Sequence, residues 1–445
     1  MSKNESNSQA EVSATGEAPI EAPASESMPG WARRAGMFLT SQTISVFGSF
    51  LVQYAIMWHL TLTTKSGVVL ALAAVFGFLP QAIVSIFAGV WADRVNRKIM
   101  IIVADGSIAL ATLGLAFFML SGVKDLWLIF LVMAVRSVGA GVQMPAVSAV
   151  IPQIVPSDKL MRINGINSTI QSITGLLAPI AAAAVYANMS IVPIFFIDVV
   201  TAAIGISIFS FIPVPSLDRV NSDIKPSYFA DLKDGMSYIF THDLVRWVMG
   251  IFAVVFLLAV APSNLSPLFI ARNFGSEVWK LTVAEILFSI GMALGGVALA
   301  TFASKVNKIS LIIATSIAFG FLSMAMGLAP NLIVFYALFF VIGLLVPSFF
   351  TSAMTTLQET VEPERQGRVF GFVGIVISVA MPVGMSVLGP LADVFPVENL
   401  LVASGLAMII AVVLAVSLPA GRRAVAAARA SSKASSQTPA DQPTD

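Results

Sequence analysis

The sequence predicts an all-α membrane protein, with twelve transmembrane helices in two six-helix bundles related by a pseudo-two-fold axis. Three observations predict it: an apolar composition, twelve runs long enough to cross a bilayer, and a repeat between the halves. Hydrophobic residues make up 57% of the 445 and charged residues 11%, with a mean hydropathy of +0.89; soluble domains average roughly 45–50% and 25%. A water-soluble core cannot hide that much apolar surface, so lipid must cover the rest. The net charge of +1 sets up no global field for nucleic acid or acidic partners. The absence of cysteine excludes disulfides, thiolate nucleophiles and sulfur-held metals.

Residues 1–30 are polar, acidic and rich in Ser, Ala, Glu and Pro, a composition expected to stay disordered. They do not read as a signal peptide, because the first apolar run is long enough to span and stay. Apolar segments follow at 35–61, 67–91, 99–121, 126–151, 164–187 and 191–212, then at 244–271, 280–303, 309–328, 332–357, 368–392 and 398–418. Each suffices for about 30 Å of hydrocarbon at about 1.5 Å per residue. The chain therefore divides into a first bundle over 31–213, a central loop over 214–243, a second bundle over 244–419 and a disordered tail over 420–445. Pro80, Pro145, Pro179, Pro262, Pro267, Pro347 and Pro382 interrupt spans, which is tolerated where neighbours or a cavity satisfy the freed backbone.

Charge fixes the expected orientation. With both termini cytoplasmic, 20 of the 25 Lys and Arg fall inside. Lys65, Lys124, Arg272 and Lys280 fall outside, and Arg136 lies within a span. Basic residues gather on the cytoplasmic side of membrane proteins. In the central loop, Tyr228, Phe229, Leu232, Met236 and Ile239 share one side at helical spacing, which predicts a helix lying in the inner interface. A partner-docking helix is the alternative.

The repeat appears at an offset of 206, where VPSDKLMRING (Val155–Gly165) aligns with VEPERQGRVFG (Val361–Gly371). Upstream, Gly141 to Pro145 and Gly343 to Pro347 are both G-x-x-x-P, and ADRVNRK (Ala92–Lys98) faces ASKVNK (Ala303–Lys308). The copies run in parallel register. Bundles so related carry a site at their interface near the midplane in transporters.

Charges inside the spans are the candidate site. Arg136 sits about ten residues into the fourth span, roughly 15 Å deep. At least about 2.5–3.5 kcal/mol opposes a charge there, so it should face a cavity or a partner. Asp198 in the sixth span and Glu285 in the eighth are acids within spans, as is Asp105 near the inner end of the third. A carboxylate in a dry cavity can load and release protons near neutrality, so Asp198 and Glu285 are candidate proton carriers; a structural hydrogen bond between helices is the alternative. Between the second and third spans, Gly89 allows close approach, and Asp93 is short enough to accept from the exposed N–H groups of a facing helix N-terminus, latching the inner side shut. Arg94, Arg97 and Lys98 serve as orientation anchors or as part of that gate. The equivalent of Asp93 in the second half is Ser304, so a latch there should be weaker. His59 and His242 read as interfacial residues, and two distant histidines make no metal site.

Neither a phosphate loop nor a hydrolase or metalloprotease motif occurs, which leaves ion gradients as the energy source. No cofactor, metal or catalytic residue is expected, and the chain reads as a monomer in lipid rather than an enzyme.

The loop Gly89-Val-Trp-Ala-Asp93-Arg94-Val-Asn-Arg97-Lys98 resembles the signature loop of the major facilitator superfamily. GFLPQA (Gly77–Ala82), RSVG (Arg136–Gly139), MPAVSAVIPQIVP (Met144–Pro156), AEILFSIGMALGG (Ala284–Gly296), GRVFG and SVAMPVG (within Gly367–Gly384) are similar to its macrolide-efflux branch, which is related to the enterobactin exporters. The resemblance runs from about Gly36 to Leu418. It implies proton-driven export of amphipathic drugs by alternating access across a bacterial cell membrane. By the same resemblance Arg136 matches a fourth-span arginine associated with proton coupling. The first span lacks an acidic partner, leaving Asp198 or Glu285 to carry the proton. Gly165, Thr174, Ala178, Pro179, Ala182 and Ala183 fall where antiporters of the superfamily carry a glycine-rich pattern, which suits a fifth-span hinge or plain packing. The apolar, aromatic spans offer few polar groups, so the expected substrate is amphipathic. A siderophore or metabolite exporter of the same fold is the rival, and would need more fixed positive charge than Arg136.

Overall fold

The computed structural model describes residues 29–123, 125–214, 228–302, 307–419, 421–423 and 426, without the side chains at 89–90, 92–94, 228–233, 302 and 363–364. Among these residues all regular structure is helical. The first set of helices is α1 (Trp31–Thr64), α2 (Gly67–Arg94), α3 (Arg97–Leu120), α4 (Leu126–Ile154), α5 (Leu160–Asn188) and α6 (Val192–Ser210). After α7 (Tyr228–Thr241) come α8 (Asp243–Leu258), α9 (Val260–Asn264), α10 (Ser266–Asn273), α11 (Val278–Phe302), α12 (Lys308–Gly327), α13 (Leu332–Thr360), α14 (Pro363–Val394) and α15 (Val397–Ser417). Twelve spans result, because α8, α9 and α10 form one crossing broken at Ala259 and Leu265. Pro262 and Pro267 lack the N–H that a continuous helix needs there, which accounts for the breaks.

The packing repeats with the sequence. In the first half α1 lies on α5 and α6, α2 on α4, and α3 on α4 and α6; in the second, α8 lies on α14 and α15, α11 on α13, and α12 on α13 and α15. Each contact has its counterpart six spans later. The repeated glycines do the same work: a Cβ on Gly141 would strike Gln81 of α2, and one on Gly343 would strike the Phe288 carbonyl of α11. Small residues let membrane helices approach closely where lipid removes the hydrophobic drive to associate. The loop repeat also has one function in both copies, since the Asn96 side chain accepts from the Lys98 and Ile99 amides and the Asn307 side chain from those of Ile309 and Ser310. Both asparagines cap the helix that follows.

The halves meet where α2 packs on α14 and α5 on α11. Their tightest approach lies at the end of the bundle where α1 turns into α2: a Cβ on Gly67 would collide with the Gly389 carbonyl, and one on Gly389 with Gly67 and Ala71. Away from that end α5 loosens, and between Met161 and Ile173 only Ile163 is buried.

The central helix forms, and Ile239 of the expected face is buried. Gly235, Tyr238 and Ile239 are buried while Met236 is exposed; of the other expected face residues, the side chains of Tyr228, Phe229 and Leu232 lie outside the description. Gly235 sets this orientation, because the missing side chain lets α7 lie against Arg368 and Phe372 of α14. Asp234 then pairs with Arg368 at 2.5 Å, and Tyr238 stacks between His242 and the Arg365 guanidinium. Residues 1–28, the start of the central loop and most of the tail after Pro419 lie outside the described residues.

Candidate functional site

Three helices bring the predicted charges together. A Cβ on Gly48 of α1 would strike Thr201 and Asp198, so α6 lies close enough to bury the Asp198 carboxylate completely. From α4, Arg136, itself 7% exposed, donates to Asp198 Oδ2 at 2.5 Å. It also donates to Thr112 Oγ1 of α3 and, at 3.1 Å, to the Ser49 carbonyl of α1. The guanidinium thus has a partner from each of α1, α3 and α6, which is what a charge at this depth requires. Both residues stand out in the sequence as charges inside spans; their pairing across 62 positions needed the fold.

Beside this pair lies a cavity of about 220 Å³, lined by Phe50, Phe78, Ile108, Met133, Arg136 and Met144 and by four amides, Gln53, Gln81, Gln143 and Gln171. The wall is more polar than the aromatic spans suggested. Glutamine is uncharged and so does not stand out among the charges inside spans, but amides from α1, α2, α4 and α5 converge here. Drug-sized ligands fill roughly 300–1,000 Å³, so this cavity is smaller than one that would enclose such a molecule.

Glu285 is apart from the pair. It lies partly buried on α11, within electrostatic reach of Tyr54 on α1, and makes no hydrogen bond or ion pair with the described residues. Tyr54 leans on Trp58 at 5.7 Å, so an acid from one half faces aromatic groups from the other.

Of the predicted gating loop, the side chains of Gly89, Asp93 and Arg94 lie outside the description, as does Ser304. Arg97 donates to the Ala149 carbonyl at 2.8 Å, and Lys98 to the carbonyls of Ser210 and Ile212 at 2.7 and 2.8 Å. Lys98 therefore closes the C-terminus of α6, where the dipole favours a cation, while Arg97 reaches α4 within its last two turns. In the fifth span, Thr174, Ala178, Pro179, Ala182 and Ala183 are buried, and α5 continues unbroken through Pro179. Nothing lies within 4 Å of where a Cβ on Gly165 would stand. His59 bonds the Tyr186 hydroxyl at 3.0 Å, and no cluster of metal-ligating side chains occurs among the described residues.

A helix-capping aspartate does join the halves, at the opposite end from the one expected. Asp393, at the last turn of α14, accepts from the Gly67 and Val68 amides at 2.6 and 3.0 Å and from Ser66 Oγ at 2.7 Å. Arg272 of α10 pairs with it at 2.8 Å and donates to the Lys65 carbonyl. Lys65 has a left-handed φ of 49°, a strained conformation for a residue with a side chain, and this bond holds it. Sequence reasoning missed Asp393, although G-x-x-A-D occurs both at Gly89–Asp93 and at Gly389–Asp393.

Two six-helix repeats in parallel register, the first enclosing a buried charge pair, form the architecture of a membrane transporter. The sequence profile of the Major Facilitator Superfamily matches residues 36–385 and again 267–438, and the chain belongs to that superfamily. It is a multi-pass bacterial membrane transporter. It is similar to macrolide efflux protein A of Streptococcus pyogenes, 32% identical over 394 residues covering 86% of this chain and 95% of that one. The protein of the same name from Enterococcus faecalis is 32% identical over 330 residues, 72% of this chain and 99% of its own. A crystal structure of a POT peptide transporter superposes with a TM-score of 0.67 at 13% identity, covering 88% of this chain and 95% of that one.

Proposed function

We propose that this transporter exports amphipathic small molecules of the macrolide type by proton-coupled alternating access, with both termini in the cytoplasm. The observation that carries this reading is the buried Arg136–Asp198 pair in the wall of a cavity that combines aromatic and amide groups. Phe50 and Phe78 offer apolar faces, while Gln53, Gln81 and Gln171 offer neutral hydrogen bonds. That mixture suits a molecule with hydrocarbon rings and many hydroxyls. The full-length similarity to macrolide efflux proteins supports the same substrate class. A siderophore exporter fits less well, because Asp198 cancels the positive charge that an anionic ligand would seek.

In the orientation that charge supports, the α1–α2 end is outside. The conformation closed there by Asp393 and Arg272 is then the inward-facing one, ready to load from the cytoplasm. Glu285, without a cation of its own and at the junction of the halves, is suited to alternate between a proton and a cationic substrate. Arg136, Asp198 and Glu285 are assigned to coupling and the cavity, Asp93 with its basic neighbours to the inner gate, and the fifth-span Gly165, Ala178 and Pro179 to the hinge.

The test is accumulation of a radiolabelled macrolide in cells making the wild type or Glu285→Gln, with and without a protonophore. Reduced accumulation in the wild type, abolished by the protonophore and by the substitution, is expected. Accumulation equal to that of empty cells would refute macrolide export.

A further inference from the structure

A second buried acid lies deeper in the first bundle and is not part of the pair described above. Asp105 of α3 is 3% exposed. Helices α3 and α4 touch at Gly139, where a Cβ would meet the Ile108 side chain at 2.6 Å and the Ala104 carbonyl at 3.3 Å. This contact brings Gln143, one turn along α4, to donate through Nε2 to Asp105 Oδ1 at 2.5 Å. The same glutamine forms part of the cavity wall.

The ionisable groups around Asp105 are few. From α6 comes Asp198, from α4 the uncharged Gln143 amide, and from α1 only the Ser45 hydroxyl faces the carboxylate. Asp93 and Arg94 of α2 belong to the undescribed side chains, and Arg97 and Lys98 on its own helix are held by carbonyls of α4 and α6. Arg136 is already committed to Asp198, Thr112 and Ser49. Asp105 has no ion pair among the described residues, and an uncompensated negative charge in this interior is costly.

We propose that Asp105 is a proton-binding site of the first bundle, exchanging its proton with cavity water beside Gln143, while Asp198 remains the counter-ion of Arg136. The proposal rests on the proton-coupled reading above and names which acid of this bundle does the coupling. A hydronium ion in the cavity gives its proton to Asp105 when the Gln143 amide swings off Oδ1, leaving a water molecule, and the proton returns to water when a cationic substrate draws near. No other reactant is involved.

The test uses the full-length protein in liposomes loaded or unloaded with macrolide, comparing uphill transport driven by a pH gradient with counterflow at equal pH. Asp105→Asn, which copies the protonated shape, is expected to lose uphill transport by at least about tenfold while counterflow persists, as it does when only the proton step is removed. Asp105→Glu should restore uphill transport. A pH-gradient response in Asp105→Asn equal to that of the wild type overturns the proposal and leaves the coupled reading standing. A wild type indifferent to the gradient overturns the coupled reading itself. Loss of counterflow in Asp105→Asn without rescue by Asp105→Glu assigns a structural role and also overturns the proposal. If Asp105→Asn aggregates, the pH profile of Asp105→Glu decides: a displaced profile supports proton binding there, and an unmoved one rejects it.

Discussion

The amino-terminal bundle buries Arg136, Asp198 and Asp105 together with Gln42, Ser41, Ser45 and Thr112, whereas the buried polar residues described in the carboxyl-terminal bundle are hydroxyls alone, from Ser266 to Ser404. In place of charge the second bundle has aromatic stacks: Phe252 lies 4.4 Å from Phe256 and 5.9 Å from Phe349, and Phe335 lies 5.0 Å from Phe269. Helix contacts are the same in both halves, so the duplicated packing plan does not dictate what is buried. A buried ion pair is held by electrostatics in a low-dielectric interior and is sensitive to loss of either partner. Aromatic and small-residue contacts are many and individually weak. The first bundle should therefore fail through single residues and the second by degrees.

The sharpest way to break this contrast is at the pair. Arg136→Gln should destabilise the protein by about 3–5 kcal/mol, because Asp198 is left buried and unpaired. Asp198→Asn should cost a similar amount, while the double replacement Arg136→Met with Asp198→Leu should recover much of the loss. Thermal melts in detergent measure all three. A double variant no more stable than the singles would show that the pair is not the coupled unit described above.

Next in size is the junction of the halves. Gly389→Val places a side chain where Gly67 and Ala71 already fill the space, and overpacking of this kind costs about 1–3 kcal/mol. Here the cost falls on one conformation, since it arises only when the α1–α2 end is closed. The chain has no cysteine, so a single Ala71→Cys reports directly. Its labelling by a membrane-impermeant maleimide should rise in Gly389→Val. Asp393→Asn should act in the same direction with a smaller effect, about 1 kcal/mol, from a weakened helix cap and a partly exposed ion pair. Unchanged labelling in both would separate this clasp from gating.

What could be read from the sequence follows the same division. The twelve spans were legible because a bilayer imposes length and apolarity on each, and the repeat because its turns share residues. Arg136 and Asp198 stood out as charges in the wrong solvent, but they come from α4 and α6, and only tertiary packing makes them a pair. Asp393 escaped notice for the opposite reason. At the edge of a span a carboxylate violates nothing, and its three bonds to the far half depend on where α2 begins. The apolar stripe of α7 was legible as far as Ile239, but its contact with α14 was not, because that contact depends on the absence of a side chain at Gly235.

The smallest effect should come from the polar contacts of the second bundle. Ser323 Oγ of α12 donates to the Leu401 carbonyl of α15 at 2.8 Å and lies 3.2 Å from Ser404 Oγ. In form this resembles the contacts around Arg136, with a buried polar side chain bridging two helices. Its surroundings differ, because a Cβ on Gly320 or Gly405 would strike the opposite backbone. Close backbone approach holds these helices together, and the hydroxyl is incidental to it. Hydrogen bonds between membrane helices average about 0.6 kcal/mol, so Ser323→Ala should lower the melting temperature slightly and leave transport intact. Gly320→Val should cost several times more, since the same crossing must open. If Ser323→Ala instead matched Arg136→Gln in cost, the second bundle would depend on a polar centre as the first does, and the contrast between the halves would be lost.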